Sequence, residues 1–186
     1  MLFCYYFKLN KYFDKAILFQ DSMRLKMKMN IDDIKDIKYL WHFTNHRLHW
    51  STITEPETDF NIKNNIISHD DLNMFIINNI ITNNKFKDYC LKTYYNKNEW
   101  CGCFGTCCII TYDFINKLDN ETDIINIQKQ MYDNRLRRSI ESIFSLAVQF
   151  VTGRIMEDGY DGLYYDGING NNLNGNVIYK KSFNRL

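Results

Sequence analysis

Apolar positions recur at helical spacing through one long stretch of this chain and crowd together at strand-like density in two others. From Ile124 to Thr152 they fall every three or four residues (Ile127, Met131, Leu136, Ile140, Ile143, Phe144, Ala147, Val148, Val151), and Gly153 stands where such a helix stops. One long helix or two joined helices fit. Ser68-His69-Asp70-Asp71 has the form of a capping box, with Ser68 as N-cap and Asp71 three residues on. It precedes Leu72, Phe75, Ile76 and Ile80, so a helix is predicted from about His69 to Asn79. Thr106 to Phe114 reads Thr-Cys-Cys-Ile-Ile-Thr-Tyr-Asp-Phe, a β-branched and aromatic run that predicts a strand buried on both faces near its middle. Tyr39 to Thr44 predicts a second strand, led into by a short helix from Ile31 to Ile37 with Asn30 or Asp32 as its cap.

The segment from Tyr5 to Lys28 carries apolar residues at mixed spacing and reads as helical. Thr54-Glu55-Pro56-Glu57-Thr58-Asp59 is a loop, because Pro removes a ladder donor and its neighbours favour turns. In the tail, Gly159 to Gly167, the Asn/Gly-rich run Asn169 to Asn176, and Val177 to Lys181 read as strand, turn, strand. These elements predict an α+β fold: one domain over residues 1–186, with a small mixed or antiparallel sheet, helices around it and a C-terminal β-hairpin.

Composition narrows the classes. With 23 Lys+Arg against 22 Asp+Glu, no global pull toward nucleic acid or anionic membrane is implied. Arg135, Arg137, Arg138 and Arg154 could contact phosphate, although a solvated helix face explains the first three more simply. Aromatics make up 16% of the chain, enough bulk for a packed core. Asn, Ile, Lys, Tyr, Phe and Asp abound while Ala occurs only at 16 and 147 and Pro only at 56. AT-rich codons encode that set, which points to a virus, phage, mobile element or AT-rich microbe. Lys, Asp or Asn interrupts every apolar run before it could span a bilayer, so no membrane association is expected. Met1 to Phe7 lacks the basic region and cleavage site of a signal peptide. The six cysteines are accordingly expected to be reduced, in a cytoplasmic protein.

Three of the four histidines lie within Tyr39 to Trp50, at 42, 46 and 49. On a helix they would share a face and could hold a metal; on a strand His42 and His49 would point to opposite sides. Aromatic content favours the strand, and no metal is expected there. His69-Asp70 matches two residues of the HD phosphohydrolase signature but reads better as residues favoured by the helix dipole. Cys101, Cys103, Cys107 and Cys108 lack the paired Cys-x2-Cys spacing of a zinc ribbon; a zinc site from Cys90, Cys101 and Cys103 is the alternative.

Leu40-Trp41-His42-Phe43-Thr44 resembles the first-strand His-x-Thr/Ser motif of the ADP-ribosyltransferase superfamily, in the branch of the poly-ADP-ribose polymerases and DarT-like toxins. Gly159-Tyr160-Asp161-Gly162 and Asn176-Val177-Ile178-Tyr179 resemble the penultimate and last strands of that fold. The resemblance implies NAD as co-substrate and a host protein or nucleic acid as target. It implies that His42 bonds the nicotinamide-side ribose and that Thr44 supports it. A middle-strand tyrosine would stack on nicotinamide, for which Tyr112 is the first candidate and Tyr95 the second, with Tyr164 a further cofactor-binding position. The family's carboxylate stands just before the last strand, where this chain has Asn174, Gly175 and Asn176. Asp166, or secondarily Glu157 or Asp161, would take its place. The rival expectation is an interaction protein, without cofactor, that inhibits a host system.

Overall fold

The computed structural model describes residues 3–10, 13–18, 23–25, 31–40, 42–44, 54–96, 99–131, 136, 139–155 and 179–181. In chain order the elements are α1 (Phe3–Leu9), β1 (Lys15–Ile17), β2 (Met23–Leu25), β3 (Ile37–Tyr39), β4 (His42–Thr44), α2 (Asp59–Lys63) and α3 (His69–Asn79). There follow α4 (Asn84–Thr93), β5 (Cys101–Cys103), β6 (Cys108–Thr111), α5 (Tyr112–Thr122), α6 (Ile124–Gln130), α7 (Ile140–Thr152) and β7 (Tyr179–Lys181). The fold is α+β, as expected from the sequence.

A broken two-stranded ribbon organises the middle of the molecule. β3 and β4 are halves of one run, and β6 and β5 are halves of another that lies antiparallel to it. Ile37 faces Ile110 and Tyr39 faces Cys108; farther along, His42 faces Cys103 and Thr44 faces Cys101. The Leu40 N–H donates to the Cys107 carbonyl at 2.8 Å and carries the ladder across the join. From Tyr39 to His42 the first run advances three residues, while from Cys108 to Cys103 the second advances five. Two extra residues therefore bulge out of the second run, at the 3-10 turn Phe104–Thr106. Gly105 (φ 59°) and Thr106 (φ 54°) both adopt left-handed backbone there, a conformation that costs a β-branched residue about 1–2 kcal/mol. On the far side of β6, β1 completes a sheet of order β1-β6-β3.

Each junction has a local cause. Ser68 caps α3 as expected: its hydroxyl accepts the Asp71 N–H, and the Asp71 carboxylate accepts the Ser68 N–H. Ser68→Ala should cost about 1 kcal/mol, readable in a urea unfolding curve. Burial pushes the Asp71 carboxyl up, but bonds from the Ser68 N–H, the Ser68 hydroxyl and the Ile67 N–H outweigh it and hold it below the usual carboxylate range. A depressed folded value means this stabilisation is full above the unfolded pKa and lost as pH falls through the folded one. Acid unfolding followed by circular dichroism should therefore lose part of its pH dependence below about pH 4 in Asp71→Asn.

The expected strand from Thr106 to Phe114 survives only as Cys108–Thr111. The Thr111 hydroxyl accepts the Phe114 N–H at 3.2 Å, and this cap overrides the β propensity of Tyr112 and Phe114. No helix forms from Ile31 to Ile37: the Lys15 ammonium bonds the Ile31 and Asp32 carbonyls at 2.8 and 2.7 Å, and the chain turns into β3. The N-terminal segment is helical only to Leu9, because β1 takes up the edge of β6. Of the two options for Ile124 to Thr152, two helices form, and Gly153 (φ 67°) closes α7 by donating to the Gln149 carbonyl. In the tail, β7 pairs with β2. The Asn/Gly turn and the first strand of the expected hairpin lie outside the described residues.

α7 is the core's central element. Ile143, Phe144, Leu146, Ala147 and Val148 are fully buried on it, and it packs on β5, α4, α5 and α6. Phe3 of α1 meets Phe144 edge to face, and Lys8 pairs with Asp119 of α5.

Candidate functional site

β4 places His42, Phe43 and Thr44 on a strand, so alternation sets His42 and Thr44 on one face and Phe43 on the other. Their cross-strand partners Cys103 and Cys101 are both buried. β5 is anchored from its other side: the Cys103 N–H donates to the Ser145 hydroxyl at 2.6 Å, and that hydroxyl donates to the Glu141 carbonyl at 2.6 Å. His42 itself lies on a strand and not on a helix. His46 and His49 lie outside the described residues, as do Tyr164, Asp166, Glu157 and Asp161.

Tyr112 and Tyr95 lie outside β4 and β5. Tyr112 opens α5, its hydroxyl donates to the Lys8 carbonyl at 3.4 Å, and its ring meets Phe13 edge-on. The neighbouring Thr111 N–H bonds the Asp36 carbonyl, and Asp36 precedes His42 by six residues. Tyr95 follows α4, is 56% exposed and lies edge-on to Tyr94.

A buried polar network lies at the start of α3, where the sequence suggests only dipole-favoured residues. His69 Nδ1 and Glu55 Oε1 are 3.1 Å apart, with side chains 1% and 3% exposed. The Tyr94 hydroxyl donates to Asp70 Oδ1 at 2.6 Å and accepts from Asn73 Nδ2 at 2.8 Å. Trp100 stacks on Tyr94 with centroids 5.6 Å apart, and its indole N–H donates to the Tyr94 carbonyl at 2.9 Å. Burial, then the bond to Asp70 and its charge, push the Tyr94 phenol far up, so it stays a donor. The Glu55 N–H to Ile67 carbonyl bond (2.8 Å) adds a short β contact. The network thus clasps the Pro56 loop onto α3 and offers solvent almost no polar surface. Its signal in the sequence is the spacing His69, Asp70, Asn73, which puts three polar groups on one side of a helix.

The six cysteines are buried thiols. Burial pushes the Cys4, Cys90 and Cys103 thiols well up, which leaves them protonated and poor nucleophiles. Cys103 Sγ donates to the Cys107 carbonyl at 3.4 Å, and Cys90 lies in α4 within the core. Among the described residues no group of three His, Cys, Asp or Glu could hold a metal ion, so Cys90, Cys101 and Cys103 do not converge as a site. Arg154 is exposed just beyond α7, and Arg135, Arg137 and Arg138 lie outside the described residues. No described helix is long and apolar enough to cross a membrane. Compared with protein-family models, curated proteins and solved structures, the chain matches none.

Proposed function

We propose that this chain is an ADP-ribosyltransferase-like protein of a virus, phage or mobile element, acting in host cytosol, with its NAD pocket at the β4–β5 ribbon. One observation carries the reading: His42-Phe43-Thr44 lies on a strand with His42 and Thr44 at positions of one face, the arrangement its resemblance to the His-x-Thr motif requires. The strand at Tyr179–Lys181, which meets the expected last strand Asn176-Val177-Ile178-Tyr179 at Tyr179, supports it.

In the reaction the bond between ribose C1′ and the nicotinamide nitrogen breaks, and nicotinamide leaves with the electron pair. A nucleophilic oxygen or nitrogen of the target then bonds C1′ and gives up its proton. His42 would donate a hydrogen bond to a ribose hydroxyl and Thr44 would support it, orienting the sugar as positive charge develops. Asp166 is the carboxylate proposed to steady that charge.

NAD labelled on its adenylate phosphate, incubated with the protein and host lysate, tests this. Label should pass to a host macromolecule with release of nicotinamide, and His42→Ala should slow transfer about 100-fold. Absence of both transfer and nicotinamide release with the wild type would defeat the reading.

A second reading, an interaction protein without cofactor, draws on Ile67 (70% exposed) and Tyr95, which border the α3 network. It requires a partner whose capture survives His42→Ala and is lost in Ile67→Asp with Tyr95→Ser.

A further inference from the structure

We infer that the Gly105–Thr106 bulge is a positioning device that sets the angle at which β4 presents His42 and Thr44; its role in NAD binding rests on the reading above. Three observations meet at this point. The two extra residues lie between the Tyr39–Cys108 and His42–Cys103 pairs, and so adjoin the motif. A bulge there bends and twists the ribbon, and β4–β5 pairs as a sheet separate from β1-β6-β3. Thr106 holds left-handed backbone while only 8% exposed, a strain that persists only where its surroundings over-determine it.

Those surroundings are specific. The Thr106 hydroxyl donates to the Gly105 carbonyl at 2.7 Å, and Cys103 Sγ donates across the mouth of the bulge to the Cys107 carbonyl. On one side β6 is fixed between β1 and β3; on the other, Ser145 of α7 fixes β5. The bulge therefore joins two separately anchored halves, and its shape sets their relation. Because it adds two residues, the alternation of faces is kept, and His42 still faces Cys103.

That parity supplies the test. Deleting Gly105 and Thr106 makes the ladder continuous with His42 still opposite Cys103, so the angle changes and the pairing does not. The His42 ring proton and carbon resonances, assigned by their loss in His42→Ala, are read in the full chain beside NAD affinity and thermal melting. The deletion variant should melt cooperatively, show a displaced His42 signal and bind NAD at least about tenfold more weakly. Thr106→Gly keeps the left-handed bulge, so signal and affinity should match wild type. Its stability should move by no more than about 1 kcal/mol, since relief of strain is offset by glycine's entropy. A cooperatively melting deletion variant with wild-type His42 signal and affinity overturns the inference. If the deletion does not fold, Gly105→Val, which resists φ 59° without shortening the chain, decides on the same readouts. If the wild type binds no NAD, the transferase reading falls separately, and the His42 signal still decides whether the bulge positions that residue.

Discussion

Trp100→Ala should destabilise the chain by roughly 3–5 kcal/mol, the range for emptying an aromatic site in a packed core. Trp100 is 1% exposed, stacks on Tyr94 and satisfies the Tyr94 carbonyl with its indole N–H. Truncation removes the ring, leaves a cavity and deletes a buried hydrogen bond in one step. For a domain of this length each kcal/mol moves the melting temperature by roughly 2–4 °C, so calorimetry should record a drop on the order of 10 °C. Trp100→Phe keeps most of the stack and loses only the hydrogen bond, and should cost about 1–2 kcal/mol. A loss below about 1 kcal/mol in Trp100→Ala would mean that the site collapses and that Tyr94 is not held by the indole.

Glu55→Ala should cost roughly 2–5 kcal/mol, the lower end for a lost buried hydrogen bond and the upper for one partner removed from a buried ion pair. His69 Nδ1 and Glu55 Oε1 meet with both side chains almost wholly out of solvent, so water cannot replace the missing carboxylate. Glu55 also fixes the Pro56 loop against α3, and that loop should become readily cut by protease in the variant. Glu55→Gln retains an acceptor and should lose less than half as much in urea unfolding. Equal losses for the two substitutions would show that shape, not the bond to His69, holds the loop.

The elements legible in the sequence were those with local chemical punctuation. Ser68 with Asp71 marks the start of α3, Gly153 marks the end of α7, and Cys108–Thr111 stands out as a β-branched run. Where the pattern misleads, a distant partner or a cap decides: Lys15 claims the carbonyls at 31 and 32, β6 recruits β1, and Thr111 converts Tyr112 from strand to helix. α4 has no predicted counterpart, because Lys, Asp and Asn dilute its apolar stripe of Phe86 and Cys90 although Asn83 caps it well. At the site, the strand under His42 and Thr44 was readable from aromatic and β-branched content. The bulge beside it was not, since a register offset depends on which residues pair across distant stretches of chain, Tyr39 with Cys108 and His42 with Cys103. The Glu55–His69 and Asp70–Tyr94–Asn73 contacts were hidden for the same reason: the first needs the loop to meet α3 in space, the second needs α3 to meet the end of α4.

The central claim, that β4 carries an NAD site through His42, is tested most directly by titrating NAD into the purified full chain by calorimetry, wild type beside His42→Ala. The account predicts saturable binding by the wild type that weakens at least about tenfold in a variant that still melts cooperatively. Absence of binding by the wild type, or equal affinity in the two proteins, would contradict it.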